Sequence, residues 1–375
     1  MANNILTIGT GGCGNKLLNC FIDILNVSEV NNNYDNLFMN SNKNEMLPLE
    51  NFDPKVNGLI VGGNGTGRNK TLGKQSIEKD KSKILNSLSR IIDIYDAVNV
   101  IFSMDGGFGS SSIGILSYYL RQLKPDLKIN LLAIAPKLDS SEEALKNTLT
   151  TYSEILKLLG FTGSKNIVNG ITIVDNEMMK NDVAEDEFNK EVMQLYLDSF
   201  ECVDGGLDTN DQIKVANANG YRLPIVLDDR IPKLNSAIDI SLNGSPFMLP
   251  SSFDNIFNGD NKILCSHLAG VLDSEVYNID DWRNIFRVKN FDKVVDGELN
   301  FLVLGGLPMP TEKIDLYKLA LKELQDIEIN HTEEFNCGFN DDEIVISQKE
   351  EKVSQRTKKQ NRRNKLLSLL ESDVY

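Results

Sequence analysis

The amino-acid sequence predicts an α/β fold: a mostly parallel sheet wrapped by helices, joined to a smaller α+β part. Through the first half of the 375 residues, short apolar runs alternate with amphipathic helical patterns. Two glycine-rich loops each follow an apolar run and open a helical pattern. The polar loops of that half lie at the C-terminal ends of the runs, the edge where an open α/β sheet binds ligands.

The first run, residues 5–8, leads into Gly9-Thr10-Gly11-Gly12-Cys13-Gly14-Asn15. Residues 15–27 then carry Leu17, Leu18, Phe21 and Leu25 near helical period. Residues 37–39 read as a strand ending at Asn40-Ser41-Asn42, and 59–61 as another, followed by a turn-rich segment at 62–70. A charged helix is expected over 74–93. The strand at 99–104 feeds Asp105-Gly106-Gly107-Phe108-Gly109-Ser110-Ser111-Ser112, and a helical pattern follows over 113–123. Strand 129–135 stops at Pro136, a helix covers 141–159, and strand 171–174 stops at Asp175-Asn176.

The second half is less regular. A helical run at 188–203 places Val192, Leu195, Leu197 and Phe200 on its apolar face. The turn Asp204-Gly205-Gly206 and the acidic loop Leu207-Asp208-Thr209-Asn210-Asp211 come next. Residues 220–260, with four prolines, give no clear pattern. Residues 262–268 and 299–304 read as strands, 294–298 as a turn into the second of them, and 311–326 as a helix.

Composition narrows the function. Hydrophobic content of 41% and charged content of 25% are those of a soluble globular protein. No apolar run nears the roughly 20 residues that span a bilayer, and the N-terminus lacks a signal pattern, so a cytoplasmic protein without membrane contact is expected. The five cysteines are scattered and there are only two histidines, which leaves little material for a disulfide framework or a histidine-based metal site. A net charge of −15 argues against direct nucleic-acid binding by the main body. The end of the chain differs. Residues 352–365 hold seven Lys or Arg and no acid, and Leu366, Leu367, Leu369, Leu370 and Val374 follow at roughly helical spacing. Such a segment reads as a docking peptide or as a solvated tail.

The serine-rich loop at 105–112 carries the chemistry. Glycine amides approach a phosphate unhindered by Cβ atoms, and a helix N-terminus adds partial positive charge. The Gly-Lys-Ser/Thr ending of a Walker loop is absent. With a second glycine loop on the same edge, the pair points to a nucleotide held along its phosphate chain. Taken alone, Gly106, Gly107 and Gly109 also suit an ordinary strand-to-helix turn, Asn15 a helix cap, and Asp208 and Asp211 a capped turn.

These loops, in this order, resemble the tubulin/FtsZ superfamily of GTP-dependent filament proteins, and most of all its plasmid- and phage-partition branch, TubZ. The superfamily's G-G-G-T-G-S/T-G loop is similar to Asp105-Gly106-Gly107-Phe108-Gly109-Ser110-Ser111, with the first and last glycines and the threonine replaced. Gly11-Gly12-Cys13-Gly14-Asn15 resembles the first nucleotide loop, and Asn40-Ser41-Asn42 stands where relatives have Asn-Thr-Asp. Asp208 and Asp211 match the D-x-x-D/E spacing of the loop after the central helix.

The resemblance implies a Rossmann-like GTPase domain at residues 1–182, a long central helix at 183–207, a smaller α+β domain at 208–335 and an acidic-then-basic tail at 336–375. It implies GTP/GDP as ligand, with Mg2+ on the phosphates and no protein residue assigned as a metal ligand. Gly11, Gly12, Cys13, Asn40, Gly106, Gly107, Phe108, Gly109 and Ser110 would cradle the nucleotide. Thr66, Gly67, Arg68 and Lys70 would face its terminal phosphate, Asn15 and Asn189 the guanine edge, Asp175 or Asn176 the ribose, and Phe188 would stack on the base or pack in the core. Asp208 and Asp211 would position the hydrolytic water for the GTP of a neighbouring subunit, in a head-to-tail homopolymer that segregates DNA. Its tail would engage a DNA-bound adaptor or, weakly, DNA itself. The alternatives are an FtsZ-like division filament, a filament that binds GTP without hydrolysis, and an NAD-binding oxidoreductase. The last matches Gly9-Thr10-Gly11-Gly12-Cys13-Gly14, with Asp35 lying 21 residues on, but leaves the serine-rich loop without a role.

Overall fold

In the computed structural model, residues 2–180, 182–201, 206–250 and 262–326 are described. The N-terminal half runs β1 (Asn4–Thr10), α1 (Gly11–Leu25), β2 (Asn33–Asn40), β3 (Gly58–Ile60), α2 (Lys70–Lys79), α3 (Lys81–Ser89), β4 (Ala97–Ser103), α4 (Phe108–Leu123), β5 (Lys128–Ala135), α5 (Glu142–Leu158) and β6 (Gly170–Asp175). After it come α6 (Glu185–Glu201), α7 (Thr209–Ala216), β7 (Gly220–Val226), α8 (Leu234–Asn243), β8 (Ile263–Leu272), α9 (Trp282–Ile285), β9 (Phe286–Asp296), β10 (Phe301–Leu307) and α10 (Glu312–Gln325).

Among the described residues the strands form one ten-stranded sheet in the order β3-β2-β1-β4-β5-β6-β7-β10-β8-β9. Pairing is parallel from β3 through to β7, β10 is antiparallel to both β7 and β8, and β9 is parallel to β8. The expected mostly parallel α/β architecture is what the chain adopts. All seven residues of β4 and seven of eight in β5 are buried. That is the pattern of parallel strands covered on both faces by crossover helices. The order reverses between β1 and β4, so the loops after β1 and β4 open side by side at the switch point.

The smaller part is an extension of the same sheet. β7 joins β6 through only Gly170↔Gly220 and Ile171↔Tyr221, and β10, β8 and β9 follow outward. A separate apolar cluster, including Leu207, Val215, Val271 and Phe301, sits there between α7 and the strands. Arg222 of β7 is buried and stacks its guanidinium 4.9 Å from the Tyr196 ring and 4.1 Å from the Phe200 ring, fastening α6 to the sheet. The 17 residues of α6 span roughly 25 Å.

Several expected boundaries shift. The charged segment at 74–93 forms two helices, because Asp80 leaves helical geometry at φ −98°, ψ 17° and accepts the Gly62 N–H at 2.8 Å. α6 begins at Glu185, three residues before the expected start, with Glu185, Asp186 and Glu187 placed against the positive end of its dipole. The acidic loop after α6 continues as a helix from Thr209, and the illegible stretch 220–260 contains β7 and α8. The turn expected at 294–298 begins only after Asp296, since Val294 and Val295 pair with Gly270 and Val271. The Asp204-Gly205 part of the expected turn and the tail at 336–375 lie outside the described residues.

Candidate nucleotide-binding site

The first turns of α1 and α4 meet at the switch point. Gly11 holds φ +72°, and a Cβ there would lie 3.0 Å from the Gly109 amide nitrogen; one on Gly109 would lie 2.9 Å from the Thr10 carbonyl oxygen. Two helix N-termini can approach this closely only without side chains between them, and each brings unpaired amides and about half a positive charge. They form the floor of a cavity of about 400 Å3. Of the expected residues, Gly11, Gly12, Cys13, Asn40, Thr66, Gly67, Arg68, Gly106, Gly107, Phe108 and Gly109 line it. Asn40, itself buried, donates to Glu45 Oε2 at 2.9 Å and fixes that carboxylate at the rim.

A second cavity, about 560 Å3, shares Gly12, Cys13 and Glu45 with the first. Its walls include Leu17, Ile134, Met179 and Phe188, an apolar slot of the kind that takes a flat ring. Asn189 and Asn176 line it too, as do Lys16 and Glu185, whose charged ends stand 3.7 Å apart. Sequence reasoning missed Lys16, Ile134, Met179, Glu45 and Glu185, since isolated charged or apolar positions carry no spacing signal.

Other expected residues stand elsewhere. Asn15 is buried behind the loop and donates to the Met39 carbonyl at 3.2 Å. The Ser110 hydroxyl turns back to the Gly106 carbonyl, as first-turn helix serines do. Asp175 is taken up by the Glu177 N–H at 3.1 Å and by Lys313 at 3.0 Å, which leaves Asn176 as the polar group facing the slot. Lys70 points inward to Thr151 Oγ1 at 2.7 Å, and burial pulls its pKa down to about 8. Asp208 and Asp211 lie beyond the opposite end of α6 from Asn189 and line neither cavity.

The phosphate end carries mixed charge. Arg68, at a left-handed φ of 70°, sits 3.5 Å from Asp105 and donates to Ser141 Oγ at 3.2 Å. Asn147 of α5 donates to the carbonyls of both Arg68 and Asp105, at 2.9 and 3.1 Å, and so cross-ties the two loops. Burial, reinforced by Asp105 and Glu185, pushes the Cys13 thiol up to about 12. Among the described residues no group of three or more His, Cys, Asp or Glu is placed to hold a metal, and no helix is long and apolar enough to cross a membrane.

Comparison with known proteins agrees with this geometry. Residues 4–183 match the tubulin/FtsZ family GTPase domain. A tubulin-like protein CetZ from Pyrococcus horikoshii is 25% identical over 198 residues, 51% of this chain and 48% of that one. The chain thus spans about half the length of the curated relatives it matches. Among solved structures, TubZ of Clostridium botulinum phage c-st superposes with a TM-score of 0.70 at 16% identity, covering 87% of this chain and 99% of that one. A GTPγS-form protofilament of Bacillus thuringiensis serovar israelensis TubZ gives 0.65 at 18% identity, covering 86% and 92%. Residues 4–183 thus carry a tubulin/FtsZ family GTPase domain, in a chain whose fold is that of TubZ.

Proposed function

We propose that the chain binds and hydrolyses GTP and assembles head-to-tail into filaments. The convergence of the α1 and α4 N-termini at Gly11 and Gly109, beside an apolar slot, carries this reading. The triphosphate lies over the two amide clusters and the base enters the slot beside Phe188 and Asn189. Mg2+ commonly binds through one or two carboxylates together with phosphates and waters, and the Asp105 and Glu45 carboxylates suit that role. When bound, the ion neutralises charge developing on the phosphates. The chain's own amides orient the phosphates, and the slot excludes water from the base.

Asp208 and Asp211 line neither cavity, so in this reading they do not serve the nucleotide of their own subunit. A second copy stacked along α6 brings them to it, so hydrolysis is completed on assembly. Such a repeated heterologous contact, if it does not close, makes a filament. The TubZ protofilament of the same fold supports this arrangement. In this reading residues 1–182 bind nucleotide, 183–207 link, 208–335 present the acids, and 336–375 recruit a DNA-bound adaptor for plasmid or phage segregation in the cytoplasm.

The deciding experiment is sedimentation of the purified protein with GTP, GDP or NAD, with phosphate release followed in parallel. Sedimentation with GTP alone, and hydrolysis rising steeply above a threshold protein concentration, is expected. Hydrolysis strictly proportional to protein concentration overturns the shared active site, and binding of NAD in place of GTP overturns the nucleotide assignment.

A further inference from the structure

A third cavity, about 740 Å3, opens at the starts of β8 and β9 and the end of β10. β7 runs parallel to β6, β10 antiparallel to β7, β8 antiparallel to β10, and β9 parallel to β8. Those strand ends therefore lie at the edge of the sheet opposite the phosphate cradle, and the cavity is no part of the nucleotide site.

The backbone bends around it twice. Leu264 pairs with Arg287 and Cys265 with Val288, but His267 pairs with Phe291, so Lys289 and Asn290 stand opposite Ser266 alone. A bulge of this kind breaks the alternation of faces, and it is rare between parallel strands. Arg287, Lys289 and Asn290 all line the one cavity as a result. On the other side β10 slips register between Leu304 and Leu307. Gly306 there holds φ +67°, and a Cβ on it would come 2.3 Å from the Ser266 Cβ. Bulges recur beside active sites, where they re-aim side chains.

The lining is built of donors. Arg287 and Lys289 bring two positive charges, and neither makes an ion pair among the described residues. Asn290 donates to Ser266 Oγ at 2.7 Å, which leaves the serine O–H to donate in turn. No carboxylate or histidine lines the cavity among the described residues, in a chain whose net charge is −15. Leu264, 59% exposed, and Pro308 form an apolar wall. Residues two apart on a strand stand about 7 Å from each other, a span that one tetrahedral oxyanion between two long cationic side chains can bridge. A doubly charged phosphate balances the pair, where a carboxylate brings half the charge. The guanidinium fork also meets phosphate oxygens two at a time.

We propose that this cavity binds a small phosphate monoester. Its phosphoryl group sits between Arg287 and Lys289 and accepts from Ser266, and its apolar part lies against Leu264 and Pro308. With no lining acid or histidine to activate a water, the ester is bound and not cleaved.

The test follows 31P line broadening of phenyl phosphate by the full-length protein, without GDP and in excess GDP, which fills the phosphate cradle. Wild type is expected to broaden the signal equally in both. Arg287→Glu, which keeps the β9 flank charged, is expected to bind at least about tenfold more weakly. Arg90→Glu makes the same change in net charge at the end of α3 and should stay within about twofold of wild type. Leu264→Ser is expected to weaken phenyl phosphate severalfold and to leave inorganic phosphate unchanged. Broadening that GDP abolishes puts the ester in the nucleotide cradle and overturns the proposal. Binding that survives Arg287→Glu, or an equal loss in Arg90→Glu, overturns it as well. A chain that binds no GDP removes the nucleotide reading alone, since the comparison of Arg287→Glu with wild type still decides this one.

Discussion

Gly14 in α1 passes so close to β4 that a Cβ at position 14 would stand 2.3 Å from the carbonyl oxygen of Ile101. The obstructing atom is backbone in the middle of the sheet, so nothing soft can yield. Gly14→Ala is therefore expected to push α1 off the strand, with a loss of about 2–3 kcal/mol in urea denaturation. Nucleotide binding should weaken in the same variant, because the α1 amides move with their helix. A variant with unchanged stability and binding would show that the packing is looser than described.

Cys13 lines both cavities yet is expected to be a poor nucleophile. Its thiol is raised from 9.0 to about 12, so the thiolate fraction near neutral pH falls about 10³-fold. Iodoacetamide at pH 8, followed by peptide mass spectrometry, should label Cys13 on a scale of many hours. Rapid labelling would contradict the raised thiol.

Lys70 gives a pH signature. Below about pH 8 the folded and unfolded chains both carry its charge, and the folded state bears the whole penalty of burying it. Above 10.5 neither carries the charge and the penalty is gone. Stability contributed at this site thus rises between those values, by up to about 3 kcal/mol. The raised Cys13 and Cys265 thiols act oppositely as pH climbs past 9.0. The difference between wild-type and Lys70→Met melting curves from pH 7 to 10 isolates the lysine, and the wild type should gain relative to the variant.

Asp105 places a carboxylate in the cradle where the family's loop has glycine. Without a divalent cation it repels the triphosphate and occupies Arg68, so Asp105→Asn should tighten GTP binding severalfold in EDTA. With Mg2+ present the gain should shrink or reverse. Isothermal titration in the two buffers checks both signs.

The parallel half was legible because its strands are mostly apolar runs such as Val100, Ile101 and Phe102, each stopped by a glycine, proline or asparagine loop. β9 was not, because Arg287, Lys289, Asp292 and Lys293 interrupt it as they do any half-exposed strand. β7 hid behind Pro224, which a strand tolerates here opposite Val303 of antiparallel β10. At the site, the glycines announced the phosphate end because only they permit the contact of Gly11 with Gly109. The slot was half hidden: Met179, Ile134 and Glu185 come from three elements that nothing in their spacing ties together. Asn15 and Asp175 had the right chemistry at the right strand ends, but their side chains serve Met39 and Lys313. Side-chain direction, which sequence does not display, decides such cases.

The two margins of the sheet are unequal: β3 closes one with three residues, and β9 ends the other with eleven. Among the described residues nothing pairs with the outer side of β9. A long open strand is a template for unwanted strand addition, and this one is studded with charges of both signs, which oppose it. The molecule therefore has a handed stickiness. Crowding or charge-neutralising substitutions along β9 will drive side-by-side clumping from that flank alone, while the short β3 flank stays inert.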